Sequence, residues 1–247
     1  MSNMAILRPL PISAVAAALG TGAANLLTPD PKEVWTATNG AGVYYIDLDM
    51  GAAVSVDTLF AGHLTPGTGL QLHSATGMGT GRVVVGNVGA LVAIPARPLH
   101  GFLKLAAPVV SRYWSVGIVA IANPSVGIIA LGTAFQPTFN REWGGGRFLI
   151  DTGAKEELLG GGYAIGEGAI KIGFRWTFGD LTDTDLDALY ALAADRGETK
   201  PIVVAEDPDA TAGLNERLHY GLFGRLEPYE RETANRTRWG LSMTEWT

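Results

Sequence analysis

Four closely spaced acids, Asp180, Asp183, Asp185 and Asp187, are the first candidates for metal chemistry. A calcium loop counted from Asp183 needs glycine at its sixth position and glutamate at its twelfth. The chain has Ala188 and Ala194 there. Carboxylates at the start of a helix are sufficiently explained by its dipole, which favours negative charge in the first turn. The glycine loop Gly77–Arg82 invites a phosphate, but it lacks the Lys-Ser/Thr of a P-loop and no helical pattern follows it. It fits a hairpin or sandwich loop better. The four histidines, His63, His73, His100 and His219, show no helical metal-ligand spacing. His63 and His73 approach each other only if their strands pair, and otherwise they belong to loops or core. There is no Gly-x-Ser-x-Gly, His-Glu-x-x-His or Ser-x-x-Lys motif, and no cysteine. The expectation is a protein that is not an enzyme, with no catalytic residues, no cofactor and no metal site.

Aromatic residues give the strongest binding signal. Trp35, Tyr44, Tyr45 and Trp114 lie in the first half of the chain, with Arg112 beside the last. Sugar sites combine apolar faces with a few placed polar groups, so Trp35, Tyr44, Trp114 and Arg112 are the candidate glycan-binding residues. The competing reading is that alternating members of this set fill a sandwich core.

Elements must position these residues. Ile170, Ile172, Phe174, Trp176 and Phe178 alternate with more polar neighbours, a period-two strand. Thr182 stands three residues before Asp185, a helix-start signature, and Leu186, Leu189, Leu192 and Ala193 recur at helical spacing before Gly197. A helix over about 183–196 should pack its leucines, with Trp176, on a sheet completed by Ile202–Ala205, His219–Phe223 and Trp239–Trp246. Upstream, short strands fit Val43–Met50, Val54–Leu64, Leu70–Ser74, Arg82–Val85, Phe102–Leu105, Tyr113–Ile121 and Val126–Leu131. Turn chemistry separates them at Thr28-Pro29-Asp30-Pro31 and Asn39-Gly40.

The fold class is therefore mainly β: an N-terminal β-sandwich or jelly roll, then a smaller α+β domain with one main helix packed on an antiparallel sheet. Thirty-three glycines and thirteen prolines among 247 residues support this turn-rich reading. Net charge is −6, with no basic stripe to suit a nucleic acid. Residues 1–140 hold six Lys/Arg and five Asp/Glu, whereas the rest hold twelve and nineteen. The shift marks a boundary: an N-terminal arm over 1–24, a sandwich over 25–138 and an α+β domain over 139–247, with Trp143-Gly144-Gly145-Gly146 as hinge. In the arm, Ile6, Leu7, Leu10 and Ile12 need a partner surface, in cis or in trans. The apolar stretch Pro9–Gly20 is broken by Pro9, Pro11 and Ser13, which argues against a signal peptide. No run is long enough for a membrane span.

Asn25-Leu26-Leu27, Pro31, Trp35, Tyr45-Ile46-Asp47-Leu48-Asp49-Met50-Gly51, Val56-Asp57, Arg112-Tyr113-Trp114 and Gly127-Ile128-Ile129 occur in this order. They resemble the galactose-binding (discoidin-like) jelly roll, whose hallmark is I-D-L-G-x-x-x-x-V-D; here two extra residues precede the glycine. The resemblance implies a sugar-binding fold in which Asp30, Asp47 or Asp49 could hold a structural calcium. The junction Leu131-Gly132-Thr133-Ala134-Phe135-Gln136-Pro137-Thr138-Phe139-Asn140 and the acidic domain after it are similar to bacteriophage tail or baseplate proteins, the second domain resembling phage distal tail proteins. That resemblance implies a structural virion protein, assembled in the host cytoplasm, acting through interfaces with other tail proteins and copies of itself and contributing to host attachment. The alternative is a module that recognises a cell-surface carbohydrate.

Overall fold

The computed structural model describes residues 3–38, 40–92, 97–120, 122–210 and 212–246. Asn39 and Ile121, which figured in the expected turn and strand end, lie outside them. In chain order the strands are β1 (Ala5–Leu7), β2 (Ala14–Ala17), β3 (Trp35–Thr36), β4 (Gly42–Gly62), β5 (Gly69–Ala75), β6 (Val83–Val88), β7 (His100–Ala120), β8 (Ser125–Val126), β9 (Ile128–Gly132) and β10 (Ala134–Phe135). They continue with β11 (Gly146–Asp151), β12 (Ala154–Glu157), β13 (Tyr163–Gly166), β14 (Ile170–Leu181), helix α1 (Asp183–Arg196), β15 (Ile202–Ala205), β16 (Leu218–Phe223), β17 (Glu230–Thr233) and β18 (Arg236–Glu245). The fold is mainly β, as the sequence indicates. The chain divides into two compact units, Met1–Pro137 with Pro201–Tyr220, and Thr138–Lys200 with Gly221–Thr247.

The first unit is a β-sandwich. Its main sheet runs β2-β4-β7-β5-β6, with β9 also paired to β4. The two 21-residue strands β4 and β7 pair antiparallel along their length, with register shifts between Asp49 and Val54 and between Val56 and Thr58. Gly51, expected to end a strand, sits in the first shift at φ 77, where a Cβ would lie 2.6 Å from Ser13 Oγ. Two expected strands are thus one bulged strand. Tyr44, Ile46, Leu48 and Met50 from β4, Leu70 and Leu72 from β5, and Trp114, Val116 and Ile118 from β7 face one way into a core shared with Trp35, Val126 and Leu131.

The N-terminal segment is not a free arm. Ile6 pairs with Phe135 on one side and Val204 on the other, and both Ile6 and Leu7 are fully buried. Leu10 and Ile12 are half-buried against the sandwich core. The apolar residues find their partner surface in cis. Four consecutive buried residues in β15 complete that ladder, and β15 stands in one strand order with β16, β18 and β14, as the sequence indicates.

In the second unit β18 pairs with β14, β17 and residues 221–223, and β14 pairs with β11. Phe174 lies opposite Met243, Trp176 opposite Leu241 and Phe178 opposite Trp239, and all six are buried. Trp176 stacks on Phe174 with ring centroids 5.2 Å apart. Helix α1 buries Leu186, Leu189, Leu192 and Ala193. Thr182 caps it: its Oγ1 accepts from Asp185 N at 3.1 Å, while Asp185 accepts in return from the Thr182 backbone, a complete capping box. The glycine run is no hinge. Glu142 N already donates to Thr177 O in β14, and Gly146 begins β11, so 143–146 is a turn inside this unit.

Histidine placement also departs from expectation. His63 meets His100, not His73, with ring centroids 5.5 Å apart. His100 is fully buried, and its Nδ1 accepts from His63 N at 3.4 Å. Burial first, then the nearby charges of His63, Arg97 and His219, hold its pKa well below the ordinary 6.5. The unfolded chain therefore binds a proton near that value that the folded chain refuses. Stability is fully present above it and is lost as pH falls below it. We expect the melting temperature to drop between neutral pH and about pH 5, and His100→Gln to flatten that slope.

Candidate functional site

Alternation in β4 sends Tyr45, Asp47 and Asp49 to the side of the sheet opposite the core. Pairing then assembles rows across neighbouring strands. Asp47 lies opposite Ser115, which lies opposite His73; Tyr45 lies opposite Gly117, then Gln71, then Asn87; Asp49 lies opposite Tyr113. Gly117 lets Gln71 and His73 close over the Tyr45 row, since a Cβ there would come within 3.2 Å of Gln71 Oε1 and 3.4 Å of His73 Nε2.

Arg82 closes over this face. It follows the glycine loop, whose Gly79 and Gly81 take φ 77 and 63; a Cβ on Gly81 would stand 2.1 Å from Thr76 Oγ1. The loop thus serves to return Arg82 onto the sheet. Its Nε and Nη2 donate to Asp47 Oδ1 and Oδ2 at 3.0 and 2.7 Å, and Nε also reaches Ser115 Oγ at 3.1 Å. The guanidinium stands 4.4 Å above the centroid of Tyr45. Tyr45 meets His73 edge to face at 5.4 Å. His73 Nε2 lies 3.3 Å from Gln71 Oε1, and its buried Nδ1 has no hydrogen-bond partner among the described residues. Burial, followed by the positive charge of Arg82, lowers the His73 pKa against the opposing pull of Asp47, so the ring is neutral at neutral pH.

The same device recurs two residues along, nearer solvent. Arg112 donates Nε and Nη2 to Asp49 at 2.8 Å each and lies 4.9 Å from the Tyr113 centroid. The Arg112 hydrogen bond and the Gly51 N–H hold Asp49 down at about 2. Beside Gln71 and Asn87 opens a cleft of about 400 Å³, also bordered by Gly67, Gly69, Gly89 and Val119.

Of the glycan candidates, Arg112 alone is on this face. Trp35, Tyr44 and Trp114 are buried in the core. Trp35 and Tyr44 pack edge to face at 6.1 Å, Tyr44 Oη donates to Gly40 O, and Trp114 Nε1 donates to Ser111 O. The alternation that turns the half-buried Tyr45 and Tyr113 to this face buries Tyr44 and Trp114. Sequence reasoning missed Asp47, His73, Arg82, Gln71 and Asn87 as a set. The available signal was the polar phase of Val43–Met50, together with an arginine closing a glycine loop. Among the described residues no group of three or more His, Asp or Glu is placed to hold a metal ion. Asp47 and Asp49, candidates for a structural calcium, are each taken up by an arginine.

No protein-family model and no curated protein matches the chain. Solved structures similar to it include the family 32 carbohydrate-binding module of C. perfringens NanJ in complex with galactose, 12% identical, covering 52% of this chain and 98% of that one with TM-score 0.42. A chitosan-binding module from a chitosanase/glucanase of Paenibacillus sp. IK-5 is 12% identical, with coverages of 51% and 100% and TM-score 0.41. The CBM32 of AlyQ in complex with 4,5-unsaturated mannuronic acid is 20% identical, with coverages of 51% and 98% and TM-score 0.40. At these scores the likeness carries no argument about activity, and the strand pairing described above defines the fold.

The two acid–arginine pairs differ in burial, and their contributions should differ accordingly. Asp47 is buried and Asp49 is not. Asp47→Ala strands Arg82 and Ser115 and should cost about 1–3 kcal/mol. Asp49→Ala should change stability little, because a solvated pair contributes little. Urea unfolding of both variants tests this, and equal losses would show that the face does not organise around Asp47.

Proposed function

We propose that the first unit is a non-catalytic carbohydrate-binding module that recognises a cell-surface glycan. One observation carries this: Tyr45, His73, Gln71 and Asn87 share a face around Gly117, and Gln71 and Asn87 border an open cleft. A sugar offers hydroxyls that both donate and accept, and C–H faces that lie on apolar surface. Carboxamides such as Gln71 and Asn87 can answer both roles, and the glycines let a ligand approach the backbone. Asp47–Arg82 and Asp49–Arg112 neutralise each other internally, so the face favours a neutral polyol over an ion. Turnover is not part of this reading. A glycosidase acid needs a raised pKa, whereas that of Asp49 is lowered. Titration of the full chain with a glycan panel should find a binder, and Gln71→Ala combined with Asn87→Ala should weaken it about tenfold or more. Absence of any glycan binding, or binding indifferent to both residues, would refute the assignment.

A second reading is a structural component of a phage tail or baseplate, located in the virion and contacting tail proteins and copies of itself. The observation that favours it is in the second unit, where Trp143, Leu149, Leu159, Ile165 and Ile170 are exposed. Large apolar groups left open this way suit an assembled interface. The similar structures give it no support. Mass spectrometry of purified particles should detect the chain if this reading holds, and its consistent absence would remove it.

A further inference from the structure

The stretch from Leu149 to Ile172 is a long two-stranded ribbon in the second unit. Near its base β11 pairs with β14; beyond Thr152 and Ala169, which bond to each other, β12 pairs with β13 and no other strand among those described. Every residue of β12 and β13 is exposed. A two-stranded hairpin with both faces in water is at best marginally stable. The outer ribbon has no core of its own. Tyr163 and Ile165 stand 52% and 71% exposed on one face, and the tip adds Leu158 and Leu159.

The two edges of this ribbon are not alike. β12 reads Ala-Lys-Glu-Glu. A strand pairing antiparallel with its own copy about a two-fold axis must place one residue opposite itself, because opposing side chains share a face. Centred on Lys155 or Glu157, β12 would set like charges against each other, and centred on Glu156 it would place Glu156 opposite Glu156 between two Lys155–Glu157 pairs. Charge of this kind guards an edge. β13 reads Tyr-Ala-Ile-Gly and holds no charge. Centred on Ala164, self-pairing places Tyr163 opposite Ile165 of the other copy, twice, with the two small Ala164 side chains meeting on the opposite face. Aromatic against β-branched is a favourable cross-strand pair.

We propose that β13 is a homotypic docking edge, through which two copies of this chain join their ribbons into one four-stranded antiparallel sheet centred on Ala164. This adds ladder hydrogen bonds, covers Tyr163 and Ile165, and leaves the charged β12 strands outermost. It holds whether or not the chain binds a glycan or enters a virion.

The test uses the full chain. Analytical ultracentrifugation across a concentration series should show a reversible dimer, and Ile165→Lys, which puts a charge on an already exposed position, should weaken association about tenfold or more. The chain has no cysteine, so Ala164→Cys supplies a single thiol. Residues opposite each other in an antiparallel pair have Cα atoms about 4.5–5.5 Å apart, within disulfide reach. Mild oxidation should therefore link that variant into a dimer, while Val83→Cys, an exposed position in the first unit, should stay unlinked under the same conditions. A chain monomeric at every concentration, a dimer insensitive to Ile165→Lys, or an Ala164→Cys variant that links no faster than Val83→Cys would each overturn the proposal.

Discussion

The pairing of β4 with β7 sorts the side chains of the first unit. Both strands contribute a residue to the core at every second position, so the intervening positions must share the opposite face. Once Tyr44, Ile46 and Leu48 are committed inward, Tyr45, Asp47 and Asp49 have nowhere else to go. A one-residue slip in register would bury two carboxylates in an apolar core, and that cost fixes the register. The bulge at Gly51 lets the strand continue to Gly62 and pair with both β7 and β9.

The same constraint accounts for the chemistry of the open face. A carboxylate as enclosed as Asp47 must have hydrogen-bonding partners, and Arg82 supplies two of its donors to both oxygens. That demand explains the glycine loop better than any ligand does: the backbone has to turn through positive φ to return the arginine to the sheet. Asp49–Arg112 has matching geometry but stands in water, so its contribution is smaller. The neutral polar groups beside the Asp47–Arg82 pair, Gln71 and Asn87, are the ones open to a ligand, with the buried His73 next to them.

How much was legible in the sequence follows from the range of each interaction. Thr182, Asp185 and the leucine spacing specify α1 within a single stretch, and the structure has the helix and its capping box where that stretch puts them. Trp176 was legible for the same reason, since its strand shows its own alternation. The ladder of Ala5–Leu7 with Ile202–Ala205 joins segments nearly two hundred residues apart. Each looks like a short apolar strand, and neither carries a mark of the other. The glycan candidates failed differently. Period two separates Tyr44 from Tyr45 and Trp114 from Tyr113 but does not say which phase is inside. The polar phase, Asp47 and Asp49, held that answer.

Charge content proved a poor guide to where the chain leaves apolar surface open. The first half carries few charges, six Lys/Arg and five Asp/Glu over residues 1–140. Its sheet acids are paired with arginine or lysine: Asp47 with Arg82, Asp49 with Arg112 and Asp57 with Lys104. The charged second unit carries the exposed leucines and isoleucines of the ribbon. On the ribbon the Lys155 ammonium lies 3.8 Å from the Tyr163 ring centroid, yet Tyr163 and Ile165 stay 52% and 71% exposed. Abundant charge and uncovered apolar surface therefore coexist in that unit. The strand without charge is the one whose edge is open to pairing, and edge composition, more than net charge, distinguishes a guarded surface from an available one.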